Sequence, residues 1–127
     1  MDKISLEGSI ERLSASISCG SSVLVCSCDG DLIAHTGYKI SIESSSIRRI
    51  AVQTSTILGV STSIGMLLQL GGSNEISFSG PNGRVFVFRL NDIYSLAVIT
   101  SYDCNIAMIN LMAARCIDEI TQKGMLS

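Results

Sequence analysis

The sequence is short of charge. Asp, Glu, Lys and Arg together make up 16% of its 127 residues, against roughly 25% in an average soluble protein. A chain this poor in charge is expected to hide extra surface in an oligomer or a partner complex. Basic residues are scattered singly apart from Arg48-Arg49, the net charge is −2, and no stripe exists to neutralise phosphates. Nucleic acid is therefore not an expected partner. From Ile50 to Asn74 there is no Asp, Glu, Lys, Arg or His at all. A run of that kind raises the question of a transmembrane helix, for which about 20 apolar residues suffice. Its content argues against one: Gln53, Thr54, Ser55, Thr56, Gly59, Ser61, Thr62, Ser63, Gly65 and Gln69 interrupt it, and no Trp or Tyr flanks it. No membrane span is expected.

Other absences narrow the chemistry. The opening "MDKISLEGSIERLSASISCG" contains no continuous apolar stretch of the signal-peptide kind, so a cytoplasmic location is expected. Five cysteines cannot all pair within one chain, and in a reducing compartment they are expected to be thiols without disulfides. "LGGSNE" lacks the Lys-Ser/Thr ending of a phosphate-binding loop, so nucleotide binding is not expected. Cys26 and Cys28, with Cys19 and His35, have the wrong spacing for a structural zinc site, and Cys-x-Cys on one strand reads as small buried hydrophobes. His35 is the only histidine, and no orienting acid or oxyanion loop accompanies it and the nearby thiols. The chain is read as a non-enzyme with no catalytic residue, metal or cofactor.

What is present fits one domain, residues 1–127. Ile4, Leu6, Ile10, Leu13 and Ile17 recur at helical spacing and predict a helix from about Asp2 to Ser14. "SSVLVCSCDGDLIAHTG" is a hairpin, with strands Val23 to Cys28 and Asp31 to Thr36 around Asp29-Gly30. A long helix is expected from Ser44 to Leu70, entered through serines suited to capping and left through Gly71-Gly72. "NEISFSGPNGRVFVFRL" is a second hairpin, and "IYSLAVIT" a further strand after Asn91-Asp92. Val85 to Phe88 and Leu96 to Ile99 are apolar on consecutive positions, which implies burial on both faces. A last helix is expected to start at an Asp103 cap, to carry Ile106, Ile109, Ala113, Cys116, Ile117 and Ile120 on one stripe, and to end at Lys123-Gly124. The fold class is α+β: α-β-β-α-β-β-β-α, a five-stranded antiparallel sheet with helices on both faces.

On a helical wheel of about 100° per residue, Ile47, Ile50, Ala51, Thr54, Ile57, Leu58, Ile64, Gly65 and Leu68 fall on one face, assigned to the sheet. Val52, Val60, Leu67 and Leu70 fall roughly opposite. No long loop is available to cover them, so the strip is assigned to an interface. The strand Asn74, Glu75, Ile76, Ser77, Phe78, Ser79 carries a single charge and lacks the usual protection against edge-to-edge pairing. Together these two features suggest a symmetric dimer with joined sheets and packed helices.

The hairpin "VLVCSCDGDLIAHTG", the turn and strand "GPNGRVFVFRL", and the strand-to-helix passage "LAVITSYDCNIAMINLMAARCIDEI" resemble the Roadblock family of dynein-light-chain and MglB-type domains, over about Ile4 to Ile120. Within that passage Ala107 stands where the family often has Gly. The resemblance implies a profilin-like αβα sandwich and a homodimer, or a heterodimer with a second Roadblock protein. It implies further that the paired central helices offer a platform to a Ras-like small GTPase. By this resemblance the platform is Arg49, Val52, Thr56, Val60, Ser63 and Leu67, flanked by Arg48, Ser55, Thr62 and Met66. The implied role is regulator or scaffold, some members acting as GTPase-activating proteins. The alternative roles are a light-chain adaptor indifferent to nucleotide and, less supported by the residues, a small-molecule sensor.

Overall fold

A computed structural model describes every residue except 73. The elements follow the expected order: α1 (Lys3–Ser16), β1 (Ser21–Ser27), β2 (Leu32–Tyr38), α2 (Ser44–Leu67), β3 (Glu75–Gly80), β4 (Gly83–Arg89), β5 (Tyr94–Thr100) and α3 (Ile106–Gln122). The strands form one antiparallel sheet in the order β2-β1-β5-β4-β3. β2 and β3 are its edges, and β1, β5 and β4 its interior.

Side-chain alternation divides the core into two layers. Val23 and Val25 of β1, Leu96 and Val98 of β5, and Phe86 of β4 face α1 and α3, where they meet Leu6, Ile10, Leu13, Ile109 and Ile120. Leu24, Cys26, Ala97 and Val87 point the other way, onto Ile47, Ala51 and Leu58 of α2. The consecutive apolar positions of β4 and β5 are thus explained by helices on both sides. A bulge between Val25 and Cys26 disturbs the β1–β2 ladder.

The ends of the helices differ from the expectation. α1 is capped by Asp2, whose carboxylate accepts from the Ser5 N–H at 3.1 Å; this bond holds the Asp2 pKa below its usual value. Ile4, assigned to the buried stripe of α1, is exposed. α3 is capped by Asn105, not Asp103, through a 3.1 Å bond from the Met108 N–H. Ile106, assigned to the buried stripe of α3, is also exposed. α2 has Glu43 at its N-cap with no side-chain cap, so the serines do not play that part. It also stops at Leu67, short of Leu70. There the N–H of Gln69 bonds the Met66 carbonyl at 3.1 Å and the N–H of Leu70 bonds the Gly65 carbonyl at 2.8 Å. Gln69 takes the left-handed φ of 61°, which makes this a Schellman motif closed without glycine. α3 ends in the same motif with Gly124 at the left-handed position, as the sequence suggested. Its following residue, Met125, is buried in the core.

The expectation of five thiols fails at two positions. Cys19 and Cys104 form a disulfide, with Cα atoms 5.7 Å apart. Their separation of 85 residues in sequence gave no hint of this contact; the β1–β5 register creates it. Cys28 departs from expectation in another way. It lies beyond the end of β1 and is exposed, so of the Cys-x-Cys pair only Cys26 is a buried hydrophobe.

Candidate partner platform

α2 is seated on the sheet by Ile47, Ala51, Thr54 and Leu58, an i, i+4, i+7, i+11 seam. That seating ends at Leu58. From Gly59 to Leu70 the only buried residue is Gly65, against which the Gly71 backbone folds back. Ile64 and Leu68, placed on the sheet-facing side by the wheel, are exposed. At about 100° per residue, Ile64 lies roughly 110° and Leu68 roughly 70° from the centre of the seam, so both flank it, whereas Gly65 continues it and is buried. α2 is also the one described helix long and apolar enough, by length and composition, to cross a membrane; in this fold one face of its first half is occupied by the sheet.

Arg48, Arg49, Val52, Thr56, Val60, Ser63, Met66 and Leu67 are all exposed, and Ser55 and Thr62 are half-buried. Leu67 is 81% exposed and Val60 56%, values that a large aliphatic side chain in a covered surface would not show. The hydroxyls of Ser55 and Thr56 both donate to the Val52 carbonyl, at 2.8 and 3.0 Å. Their hydrogen-bonding needs are met within the helix, so they add little polarity to the strip. Beyond Arg48 and Arg49 the platform carries no charge.

Two neighbours of the platform were not singled out from the sequence. Arg89, at the end of β4, donates from its guanidinium to the Thr62 hydroxyl at 2.7 Å, and its own N–H bonds the Asn74 carbonyl at 2.9 Å. It ties the far half of α2 to the entrance of β3. Gly30, in the turn between β1 and β2, rests on Val52 and Ser55. Neither contact has a local sequence signal, because each joins segments distant along the chain.

The edge strand is β3, from Glu75 to Gly80; Asn74 lies just outside it and joins through its carbonyl. Ile76 and Phe78 stand opposite Val87 and Val85 of β4, both in the layer under α2. Glu75, Ser77 and Ser79 therefore face the α1/α3 side. Of the six side chains only Ile76 is even half-buried. On that far side, Phe86, Phe88, Arg84, Ile106 and Asn110 help to line an open groove of about 340 Å³ beside β3.

The cysteines and the histidine that were weighed and set aside as a metal or nucleophile cluster lie in different surroundings. Cys26 is buried under α2, and burial pushes its thiol up to about 12. His35 lies opposite Leu24, not Cys26, and bonds the Ser22 hydroxyl at 2.9 Å. Partial burial lowers its pKa. Among the described residues, no group of three or more His, Cys, Asp or Glu could hold a metal ion.

No protein-family model and no curated protein matches the sequence. Solved structures do match the fold. The Roadblock/LC7 domain from Streptomyces avermitilis superposes with a TM-score of 0.83, covering 94% of this chain and 97% of that one at 18% identity. An MglB with a tetrameric arrangement gives 0.87 over 98% and 93%, at 12% identity. Acanthamoeba castellanii profilin IA gives 0.56 over 98% and 99%, at 8% identity. The chain has the Roadblock/LC7 fold, within the wider profilin-like architecture. At these identities the likeness is one of fold.

Proposed function

We propose that this chain is a homodimeric, non-enzymatic regulator or scaffold that binds a Ras-like small GTPase in the cytoplasm through paired α2 helices. The observation that carries this reading is the strip Val52, Thr56, Val60, Ser63 and Leu67 of α2, uncharged and exposed beside the β3 edge. In water such a strip costs solvation free energy that a partner would recover. The Roadblock/LC7 fold supports the same assignment, since the resemblance implies GTPase partners, and one MglB of this fold assembles as a tetramer.

The dimer has a preferred register. For two copies to join β3 to β3 with both α2 helices on one side, α2-facing residues must lie opposite α2-facing residues. A twofold axis through Ser77 does this. It sets Ile76 against Phe78 of the second copy and Glu75 against Ser79, whose β4 neighbour is Arg84. Apolar side chains then meet on one face, and opposite charges lie diagonally on the other.

Two measurements test the reading. Light scattering should give about twice the 13.5 kDa chain mass; a monomer at micromolar concentration would remove the dimer. Capture by immobilised small GTPases, loaded with GTP or GDP, should depend on the nucleotide. Equal capture in both states would replace the regulator with a light-chain adaptor. Adding GTP to the complex separates an activator, which raises the hydrolysis rate, from a scaffold, which leaves it unchanged.

A further inference from the structure

The disulfide sits where two chain segments meet at one end of the sheet. Ser21 is opposite Thr100 in the β1–β5 ladder, so the segment entering β1 and the segment leaving β5 run side by side. Cys19 lies on the first and Cys104 on the second. Their 5.7 Å Cα separation is within the range a disulfide spans without moving the backbone.

The other three cysteines cannot take their place. Cys26 and Cys116 are buried, one under α2 and the other against Ser9. Burial raises both pKa values and keeps these thiols protonated, whereas the thiolate is the reactive form. Cys28 is exposed but follows the far end of β1, and the strand from Ser21 to Ser27 that separates it from Cys19 is by itself about 20 Å long at roughly 3.3 Å per residue. Intramolecular oxidation is thereby confined to one pair.

The same pair is open to reduction. Cys19 is half-buried and can be reached by a small thiol, while Cys104 is buried behind it. The flanking helices do not depend on the bond, because Leu6, Ile10, Ile17, Ile109 and Ile120 hold them to the sheet with almost no exposure.

We propose that Cys19 and Cys104 form a reversible thiol–disulfide clasp, set by exchange with low-molecular-weight disulfides of the glutathione class, that ties the end of α1 to the start of α3. On oxidation the Cys19 thiolate attacks oxidised glutathione, forming a mixed disulfide and releasing one glutathione thiolate. The Cys104 thiol, held with its Cα 5.7 Å from that of Cys19, then attacks the Cys19 sulfur and expels the second glutathione, which takes up the Cys104 proton. Two protein thiols and one small disulfide become one protein disulfide and two glutathiones, and the reverse sequence opens the clasp. Cys104 immediately precedes Asn105, the cap of α3, and Ile106, which lines the groove beside β3. The closed clasp therefore holds that wall of the groove in place.

The test uses the intact protein in glutathione buffers of graded reduced-to-oxidised ratio, followed by native alkylation and peptide mass analysis. The Cys19–Cys104 peptide should appear and disappear reversibly with the ratio. Cys28 should be free for alkylation at low ratios of oxidant, and Cys26 and Cys116 should react only after unfolding. The oxidised protein should melt several degrees above the reduced one. Cys19→Ser and Cys104→Ser should each abolish the dependence of the melting temperature on the ratio, and Cys28→Ser should preserve it. Three results would each overturn the proposal: both cysteines alkylated at every ratio, a bond that survives the most reducing buffer in the folded protein, or a stable glutathione adduct on Cys19 as the end product.

Discussion

Gly30 and Val52 touch across the boundary between the first hairpin and the platform helix. A methyl group built on Gly30 would lie 3.3 Å from both the Cα and the Cγ2 of Val52. Gly30 also has φ of 88°, which L side chains avoid. Gly30→Ala is therefore expected to destabilise the fold by about 1–2 kcal/mol from the backbone alone, with a further contribution if Val52 cannot shift. Urea denaturation measures this. A loss below about 0.5 kcal/mol, the ordinary scatter of surface substitutions, would show that neither the left-handed backbone nor the approach of Val52 constrains this position.

Gln69 offers the opposite case. It occupies the left-handed position that closes α2, where Gly124 serves at the end of α3. Gln69→Gly should relieve about 1–2 kcal/mol of side-chain clash at an entropic cost of about 0.5–1 kcal/mol. The net expectation is a gain of up to about 1.5 kcal/mol in thermal or urea unfolding. Destabilisation instead would mean that the Gln69 side chain makes contacts worth more than the strain.

His35 makes the stability dependent on pH. Its folded pKa lies below the ordinary value near 6.5, because burial disfavours the imidazolium. Between the folded and unfolded pKa values the unfolded chain binds more protons. Stability should thus be fully present above about pH 6.5 and decline as pH falls from there through the folded pKa. His35→Gln should flatten that decline. An unaltered pH profile in the variant would take the slope away from His35; Asp2 would not account for it, because its lowered pKa places its contribution at far more acidic pH.

Much of this architecture was legible because it rests on local patterns. Asp29-Gly30 marked the first turn, consecutive apolar residues in Val85 to Phe88 marked a strand covered on both sides, and Lys123-Gly124 marked the end of α3. What escaped depends on long-range register or on how far an element extends. The Cys19–Cys104 bond exists because Ser21 lies opposite Thr100. Ile64 and Leu68 are exposed because the sheet-facing side of α2 is narrower than the broad face assigned to it on the wheel and because its seating on the sheet stops at Leu58. Asn105 displaces Asp103 as cap because the chain turns once more before the helix begins. The outward position of Val52, Val60 and Leu67 followed from their periodicity in a helix already assigned, and the rest of the platform came from the family resemblance, whereas the neighbours Gly30 and Arg89 had no such signal.

Val60 and Phe78 separate the two halves of the proposed interface. Val60 projects from the middle of α2 and Phe78 from the edge strand, on the same side of the sheet, and both are about half exposed. Neither belongs to a buried core layer, so replacing either should leave the monomer folded. Val60→Asp would place a carboxylate in the helix–helix contact, an expected loss on the order of 3 kcal/mol, or about a hundredfold in dimer Kd. Phe78→Lys would put charge on an edge otherwise open to pairing and should weaken the dimer as well. The pair of variants distinguishes a two-part interface from a simpler one. If both yield folded monomers by light scattering and circular dichroism, joined strands and packed helices act together. If Phe78→Lys stays dimeric while Val60→Asp does not, α2 alone carries the association and the Ser77-centred register is wrong. If both remain dimeric and still capture a GTPase, the strip is not the platform.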